Sequence, residues 1–214
     1  MSKVVHVDQE NPSAEVVNLA ATVLRDGGIV VFPTETVYGI GASAASCIGP
    51  HEIIDIKQRP ARKAIPWLVE EEAALDTYGV DVPEYAHNLA KEFWPGALTI
   101  VVKAAAVVPP EFRDDRGTVA LRSPDHTLVM ELIRSSGGAL IATSANTSGK
   151  PAPGSFEELE ERIIAAADLT LDGGETEHGV ASSVVDCTGE EPVILREGAV
   201  PAEEIMAAAK GHDA

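Results

Sequence analysis

Short apolar runs alternate with amphipathic segments along the whole chain, and this alternation restricts the fold more than any other feature. The runs predicted as β-strands are 28–33, 66–69, 97–103, 118–122, 139–143, 168–172, 183–187 and 192–196. The predicted helices lie between Ser13 and Gly27, over 51–57 and 83–93, from Asp125 to about Gly137, after Ser155 and from Pro201. No linker or break in composition separates the two kinds of element. The sequence therefore predicts a single α/β domain with a mixed β-sheet.

Polar residues and a proline mark where several helices begin. Ser13 offers an N-cap hydroxyl ahead of apolar residues that recur three and four positions apart. Asp125 is predicted to cap a second helix, and Ser155 with Glu158 forms a capping-box pattern. Pro201 is predicted at the first position of the last helix. These signals support the helical assignments.

The formal net charge of −18 limits the partners of the chain. Binding to a nucleic-acid backbone requires a basic surface, so we expect no stable nucleic-acid binding. No apolar stretch approaches the roughly 20 residues that a membrane helix needs. The first residues, MSKVVHVDQE, do not have the basic and apolar regions of a signal peptide. We expect a cytoplasmic protein with no membrane contact.

Neither the cysteines nor the histidines form a pattern typical of a covalent or metal site. Cys47 and Cys187 are far apart, which excludes a zinc ribbon and a disulfide scaffold. The stretch HEIID, 51–55, resembles a zinc-protease helix, but Asp55 stands where the second histidine should be. The sequence therefore predicts no metal site formed by protein ligands and no covalent nucleophile.

Cations are sparse in this chain, but four of them are concentrated in KQRPARK, residues 57–63. Lys57, Arg59, Arg62 and Lys63 surround Pro60, which stiffens the turn. A preset cluster of this kind suits the oxygens of a triphosphate. The alternative is a solvated basic turn without a ligand.

Polar groups also stand at the ends of apolar strands. Arg122 closes TVALR and Arg196 closes PVILR, and a strand end that opens onto a loop is a common place for a ligand group. Structural salt bridges are the alternative for both arginines. TSANTSG, 143–149, and GVASSVVD, 179–186, offer hydroxyls and a carboxamide that suit a small polar ligand. Ordinary turns with local hydrogen bonds are the alternative there.

The motifs PTETVYG, KQRP, FWPGALT, Arg122-Ser123-Pro124, SANTSG, SSVVD and ILREG occur in this order. With them the chain resembles the YrdC/YciO family from about Ser13 to Gly198. The resemblance implies a YrdC-like fold, a twisted mixed β-sheet flanked by helices with a concave basic ligand face. We expect the catalytic domain over 1–200 and a C-terminal helix with a frayed tail over 201–214.

The characterised members of this family are threonylcarbamoyl-AMP synthases. The resemblance implies that L-threonine, bicarbonate and ATP, with Mg²⁺ carried by the ATP phosphates, give threonylcarbamoyl-AMP and pyrophosphate. The product would pass to a separate transferase that makes threonylcarbamoyladenosine in tRNA. One alternative is a nucleotide- or RNA-binding paralogue without synthase activity. Another is a carbamoyl-transfer module like the related domain of hydrogenase-maturation proteins.

The resemblance also implies roles for individual residues. The expected catalytic set is Lys57, Arg59, Ser144 and Asn146. The expected ATP contacts are Arg59, Lys63, Thr118, Asn146 and Arg196. The expected threonine contacts are Thr36, Arg122, Ser144 and Ser182. The loop that contains Thr36 would thus hold an amino acid beside a nucleotide, and its glycines allow the backbone to approach the ligand.

The sequence departs from the family pattern at a few positions. Many synthases carry a histidine near threonine where this chain has Leu68, and Ser183 replaces the usual Thr with another hydroxyl. Lys63 matches shorter members of the family. We expect the extra C-terminal domain of longer members to be absent.

Overall fold

Strands and helices follow one another through the described part of the chain, as the apolar pattern predicts. The computed structural model describes residues 3–46, 49–58 and 65–211. Its strands are β1 (Lys3–His6), β2 (Val30–Phe32), β3 (Gly39–Ser43), β4 (Trp67–Leu68), β5 (Leu98–Lys103), β6 (Thr118–Arg122), β7 (Leu140–Ser144), β8 (Leu169–Asp172), β9 (Ser183–Asp186) and β10 (Val193–Arg196). Its α-helices are α1 (Ala14–Arg25), α2 (His51–Lys57), α3 (Ala74–Tyr78), α4 (Glu84–Phe93), α5 (Thr127–Ser135), α6 (Glu161–Ala166) and α7 (Ala202–Ala209). Within these ranges no helix is both long enough and apolar enough to cross a membrane.

The strands join into one mixed sheet with the order β1-β8-β2-β3-β7-β4-β6-β5-β9-β10. Strand β8 is parallel to β1 and β2, β4 is parallel to β6, and β5 is parallel to β9. The other neighbours are antiparallel, including β2 and β3, which are joined directly by the loop 33–38. The predicted α/β class with a mixed sheet is confirmed.

Alternate residues of the central strands face the larger of two cores. Val119 and Leu121 of β6, Ile100 and Val102 of β5, and Ile141 of β7 are buried in it. Residues from α2, α3, α4, α6 and α7 cover this face of the sheet. Because successive side chains of a strand point to opposite faces, the residues between these positions lie on the other side.

Helices α1 and α5 cover only part of that other side. Leu24 of α1 and Leu132 of α5 pack with Phe32 of β2 in a second apolar core, next to β8. On β5 and β6 the alternate residues of this face include Thr99 and Ala120, which line a cavity instead of packing under a helix. The part of this face formed by β4, β6, β5, β9 and β10, neighbours in the sheet, is therefore available for a ligand.

The start of α5 differs from the prediction that Asp125 caps it. His126 is the N-cap, and its Nδ1 accepts the backbone N–H of Val129 at 3.4 Å. The backbone N–H of Asp125 instead donates to the carboxylate of Glu35 at 2.9 Å. The helix begins one residue later because Asp125 bonds to the loop between β2 and β3.

Two other predicted helix starts are also corrected. Ser155 makes no side-chain cap, and Glu158 Oε2 accepts the N–H of Gly154 at 2.7 Å. The expected helix is a short 3-10 segment, Phe156–Glu158, so α6 begins only at Glu161. Pro201 is the N-cap of α7, one position before the predicted one.

Strand β3 is missing from the sequence prediction because its residues, GIGAS, are small and rich in glycine. The structure explains this composition. A Cβ at Gly41 would lie 2.6 Å from the carbonyl oxygen of Ile141 in β7. Glycine is required here because the two backbones approach closely.

The C-terminal helix belongs to the larger core. Ile205, Ala208 and Ala209 of α7 are buried in it, and α7 packs against α4. The predicted frayed tail, KGHDA, begins at Lys210, which is the C-cap of α7, and the N–H of Gly211 donates to the carbonyl of Ala208 at 3.1 Å. Residues 212–214 lie outside the described residues.

Replacing Ile205 with alanine tests how firmly α7 is packed. Ile205 is fully buried, so Ile205→Ala should lower the free energy of unfolding by about 2–5 kcal/mol. Met206, the next residue, is 38% exposed, and Met206→Ala should change this free energy by about 0.5 kcal/mol or less. Urea unfolding of both variants is the measurement, and equal small losses would contradict the packing described.

Candidate functional site

A cavity of about 510 Å³ lies over the uncovered part of the sheet. This volume is typical of small-molecule sites in proteins. Alternate residues of β4, β5 and β6, together with residues of β7 and β9, form its floor, and the loop 33–38 and β10 form two of its sides. Six of the residues predicted from the sequence line it: Thr36, Thr118, Arg122, Ser144, Ser182 and Arg196.

The loop between β2 and β3 is held by the hydroxyl of Thr34. Its Oγ1 donates to the carbonyl of Val37 at 2.8 Å and accepts the backbone N–H of Thr36 at 3.1 Å. The hydroxyls of Thr34 and Thr36 lie 2.9 Å apart. Because the single hydroxyl hydrogen of Thr34 is used by Val37, the Thr36 hydroxyl donates to Thr34. This leaves Thr36 Oγ1 as an acceptor toward the cavity.

Arg122 and Glu35 form a buried ion pair beneath this loop. Arg122 Nη2 lies 2.6 Å from Glu35 Oε1, and the two side chains are 8% and 2% exposed. Arg122 Nη1 donates to Thr36 Oγ1 at 3.0 Å, and Nε donates to the carbonyl of Gly96 at 3.0 Å. The end of β6 and the loop 33–38 are therefore joined by one guanidinium.

The electrostatics of Glu35 follow from these contacts. Burial alone would raise the pKa of Glu35, but the charge and hydrogen bond of Arg122 and the N–H of Asp125 outweigh it and lower the pKa below the ordinary 4.5. Glu35 belongs to the PTETVYG motif, but the sequence predicted no role for it. Glu35 is ionised near neutral pH, and its charge balances that of Arg122.

His126 lies next to this pair and stays neutral. Burial lowers the pKa of His126 to about 4, with a smaller contribution from the charge of Arg122. Its Nε2 lies 2.9 Å from Oε1 of Gln9, whose amide donates to the carbonyls of Gly173 and Glu175 at 2.6 and 2.8 Å. Since Nδ1 accepts the N–H that caps α5, Nε2 carries the proton. His126 is thus a structural residue behind the cavity.

Lys57 lies behind the cavity wall, against the turn that follows β7. Its Nζ donates to the carbonyl of Ser144, and to the carbonyl and Oδ1 of Asn146 at 2.8 and 3.1 Å. The Asn146 amide donates to the carbonyl of Lys150 at 2.7 Å, which closes the turn. Lys57 and Asn146 are outside the set of described residues that line the cavity, but both support Ser144, which does line it.

Glu160 holds the far side of the same turn. Its carboxylate accepts the N–H of Thr147 at 2.7 Å and the ammonium of Lys150 at 2.6 Å. The hydrogen bonds from Lys150 and from the Thr147 N–H lower the pKa of Glu160 to about 2. The turn is therefore fixed by a buried cation on one side and an anion on the other.

Arg196 reaches the cavity because of a β-bulge in β10. Ile194 pairs with Val185 and Arg196 pairs with Val184, so Leu195 is an extra residue between them. Leu195 and Arg196 both line the cavity although they are consecutive.

Arg196 is bonded to the strand next to it. Arg196 Nε and Nη2 donate to the carbonyl of Ser182 at 3.0 and 2.7 Å, and the hydroxyl of Ser182 lies 2.9 Å from that of Thr99. Burial and the charge of Arg122 lower the pKa of Arg196. Arg122 and Arg196 line the same cavity, so two guanidinium groups are available there for an anionic ligand.

A second charged group lines the cavity and was not predicted. Arg116 Nη1 lies 2.6 Å from Asp186 Oδ2, and its Nε lies 3.2 Å from Asp114 Oδ2. Asp114 Oδ1 accepts the N–H groups of Arg116 and Thr118, both at 2.9 Å. Arg116 belongs to no motif, and only the pairing of β5 with β6 and β9 brings it to the cavity.

The other residues singled out from the sequence fall into three groups. Arg59, Arg62, Lys63 and Cys47 lie outside the described residues. Leu68 lines the cavity and pairs with Arg122 in the sheet. Cys187 is buried, and burial raises the pKa of its thiol to about 12. In the described ranges no three His, Cys, Asp or Glu residues are grouped as metal ligands would be.

Comparisons with known proteins agree with the fold. The Sua5/YciO/YrdC family model, described as "Telomere recombination", matches residues 22–198. The threonylcarbamoyl-AMP synthases of Pyrococcus abyssi and Bacillus subtilis are 41% and 39% identical over 88% of this chain. The chain spans about half the length of these curated relatives, 56% and 55%. The crystal structure of P. abyssi Sua5 complexed with L-threonine is similar with a TM-score of 0.90 and 39% identity, over 97% of this chain and 61% of that one.

Replacing Glu35 with glutamine tests the buried ion pair. Glu35→Gln leaves Arg122 as a buried cation without its counterion, so the free energy of unfolding at pH 7 should fall by about 3–5 kcal/mol. The folded-state pKa of Glu35 is lowered, so its contribution is complete above pH 4.5 and is lost as the pH falls through the folded-state pKa. Urea unfolding of both proteins between pH 7 and pH 3 should show their difference shrinking toward acid.

Glu70→Gln is the control for this variant. Glu70 pairs with Arg134 at 2.6 Å on the surface, where both side chains are about half exposed. Loss of this exposed ion pair should therefore change the free energy of unfolding little. Equal unfolding free energies for Glu35→Gln and the unaltered protein at pH 7 would show that the ion pair does not stabilise the fold.

Proposed function

This chain belongs to the Sua5/YciO/YrdC family, and we propose that it is a threonylcarbamoyl-AMP synthase. The proposed reaction joins L-threonine, bicarbonate and ATP into threonylcarbamoyl-AMP and releases pyrophosphate. The observation that carries the proposal is the cavity that combines Arg122, Arg196 and the hydroxyls of Thr36, Ser144 and Ser182. The names of the relatives and the threonine complex of P. abyssi Sua5 support it.

Arg122 is the proposed anchor for the threonine carboxylate. Its contacts with Gly96, Thr36 and Glu35 use three of its five N–H groups, and its side chain lines the cavity. Two parallel N–H groups fit the two oxygens of a carboxylate. We assign further threonine contacts to the hydroxyls of Thr36, Ser144 and Ser182, which line the same cavity.

The nucleotide is proposed to lie against Thr118, Ser144 and Arg196. Arg196 supports phosphate binding because no described carboxylate pairs with it, and its described partners are the carbonyl and hydroxyl of Ser182. Arg59 and Lys63 remain proposed ATP contacts outside the described residues. Lys57 and Asn146 are proposed to act by shaping the Ser144 turn. Mg²⁺ is proposed to enter as part of the Mg²⁺–ATP substrate.

The chemistry requires alignment and charge stabilisation, and these residues are suited to supply both. The threonine amine and bicarbonate give a carbamate and water. A carbamate oxygen then forms a bond to the α-phosphorus, and the bond between this phosphorus and the bridging oxygen breaks, so pyrophosphate leaves with the electron pair. No side-chain nucleophile is needed. The arginines would stabilise the negative charge on the phosphates and hold the carbamate in line with the leaving group.

The proposed product is suited to a following reaction that consumes it directly. Threonylcarbamoyl-AMP is a mixed anhydride, which transfers its acyl group to a nucleophile. We propose that a tRNA threonylcarbamoyltransferase consumes it, and that the reaction takes place in the cytoplasm. The net charge of −18 supports transfer of a small molecule over stable tRNA binding by this chain.

The proposed reaction can be tested by omission of each substrate. Pyrophosphate release from ATP should require both threonine and bicarbonate, because the nucleophile is the carbamate that they form. The measurement is a coupled pyrophosphate assay with each component left out in turn. Release that continues at the same rate without threonine would refute the synthase proposal.

Arg122→Lys tests the assignment of the carboxylate anchor. Lysine keeps the charge but loses the fork of two N–H groups, so threonine binding should weaken at least about tenfold, or roughly 1.4 kcal/mol. ATP binding should change little. Titration calorimetry with each ligand separately is the measurement.

Arg25→Lys on α1 is the matched control, because Arg25 bonds to Ser135 and Thr22 away from the cavity. This variant should bind both ligands normally. Loss of ATP affinity in Arg122→Lys with threonine affinity unchanged would place Arg122 at the phosphates instead.

A further inference from the structure

The cavity has a second charged end, lined by Asp114 and Arg116, and Asp186 pairs with Arg116 there. Strand β6 runs from Thr118, beside this group, to Arg122, beside the first. Four residue steps along a strand span about 13 Å. The two charged groups are therefore far enough apart to contact different parts of one extended ligand.

The two ends differ in charge balance. Arg122 has one buried carboxylate partner, and the described partners of Arg196 are uncharged. Arg116, in contrast, lies between the carboxylates of Asp114 and Asp186. Two carboxylates and one guanidinium leave a net negative charge, which disfavours a phosphate at this end.

Apolar side chains separate the two ends. Ala120 of β6 pairs with Val101 of β5, and both line the cavity. Val184 of β9 and the bulged Leu195 of β10 line it next to them. A flat apolar group with polar edges fits such a surface, since the faces of a heteroaromatic ring pack on aliphatic side chains and its edges accept hydrogen bonds.

Arg116 can donate to such a group without leaving its partners. Its Nε and Nη1 contact Asp114 and Asp186, whereas no described residue accepts a hydrogen bond from Nη2. The side chain is 53% exposed and lines the cavity. The two carboxylates fix the plane of the guanidinium, so the free N–H groups are held in one direction.

We propose that Arg116 binds the nucleoside part of the nucleotide, the base and ribose, and that Asp114 and Asp186 position it. This inference rests on the proposed function, because it assumes that the cavity holds ATP. It places the nucleoside on the apolar surface between the two charged ends, and the phosphates toward Arg196 and Ser144.

The test compares nucleotides with a ligand that has phosphates but no nucleoside. Calorimetry should measure binding of Mg²⁺–ATP, AMP and Mg²⁺–tripolyphosphate to the unaltered protein and to Arg116→Ala. We expect Arg116→Ala to weaken the binding of ATP and AMP about tenfold, because one charge-assisted hydrogen bond is lost. The binding of tripolyphosphate should be unchanged. Arg116→Gln keeps a donor and most of the side-chain length, so it should recover part of the lost affinity. It also replaces Arg116→Ala as the test variant if that protein folds poorly.

Arg134→Ala is the matched control. Arg134 is 49% exposed and contacts two carboxylates, Glu70 and Glu131, but it lies on α5 away from the cavity. The Arg134→Ala variant should bind all three ligands with the same affinities as the unaltered protein. Unchanged ATP binding in both Arg116 variants, or an equal loss of ATP and tripolyphosphate, would overturn the Arg116 proposal. Failure of the unaltered protein to bind ATP would instead refute the proposed function.

Discussion

The buried pair of Glu35 and Arg122 is the contact on which the site depends. Removing both charges from water is costly, and the structure compensates with hydrogen bonds from Asp125 and to Thr36 and Gly96. These partners belong to the β2–β3 loop, the loop that follows α4 and the residues just before α5. One charged pair therefore joins three segments that are distant in the sequence.

The sheet separates stability from function by the alternation of its side chains. Leu121 points into the larger core while Arg122, its neighbour, points into the cavity. Helices α2, α3, α4, α6 and α7 supply residues to the core on the first face, whereas the described core under α1 and α5 on the second face contains no residue of β5, β6 or β9. Polar residues are tolerated on these strands because their side chains meet a ligand space and not a packed core.

The sequence predicted the features that depend on local pattern. The apolar runs of β5, β6 and β7 and the mixed α/β class are confirmed, and the motifs identified six residues that line one cavity. Strand β3 was missed because glycine weakens the strand signal. Arg116 was missed because it belongs to no motif, and its contact with Asp186 depends on the pairing of β5 with β9, far apart in the sequence. Lys57 shows a further limit, since a basic turn in a sequence does not reveal that its ammonium contacts Ser144 and Asn146.

The bulge at Leu195 makes the outer wall of the cavity unusually tolerant of change. A one-residue insertion in a central strand would turn every later side chain to the opposite face of the sheet and would disturb the pairing with two neighbouring strands. Strand β10 has a single neighbour in the described sheet, β9. The extra residue therefore changes which face the side chains point to in β10 alone. It adds Leu195 to the cavity wall, while Arg196 keeps its hydrogen bonds to Ser182. Lengthening or shortening β10 is thus a route by which related chains could reshape the cavity wall without altering the pairing of the strands that carry Thr118 and Arg122.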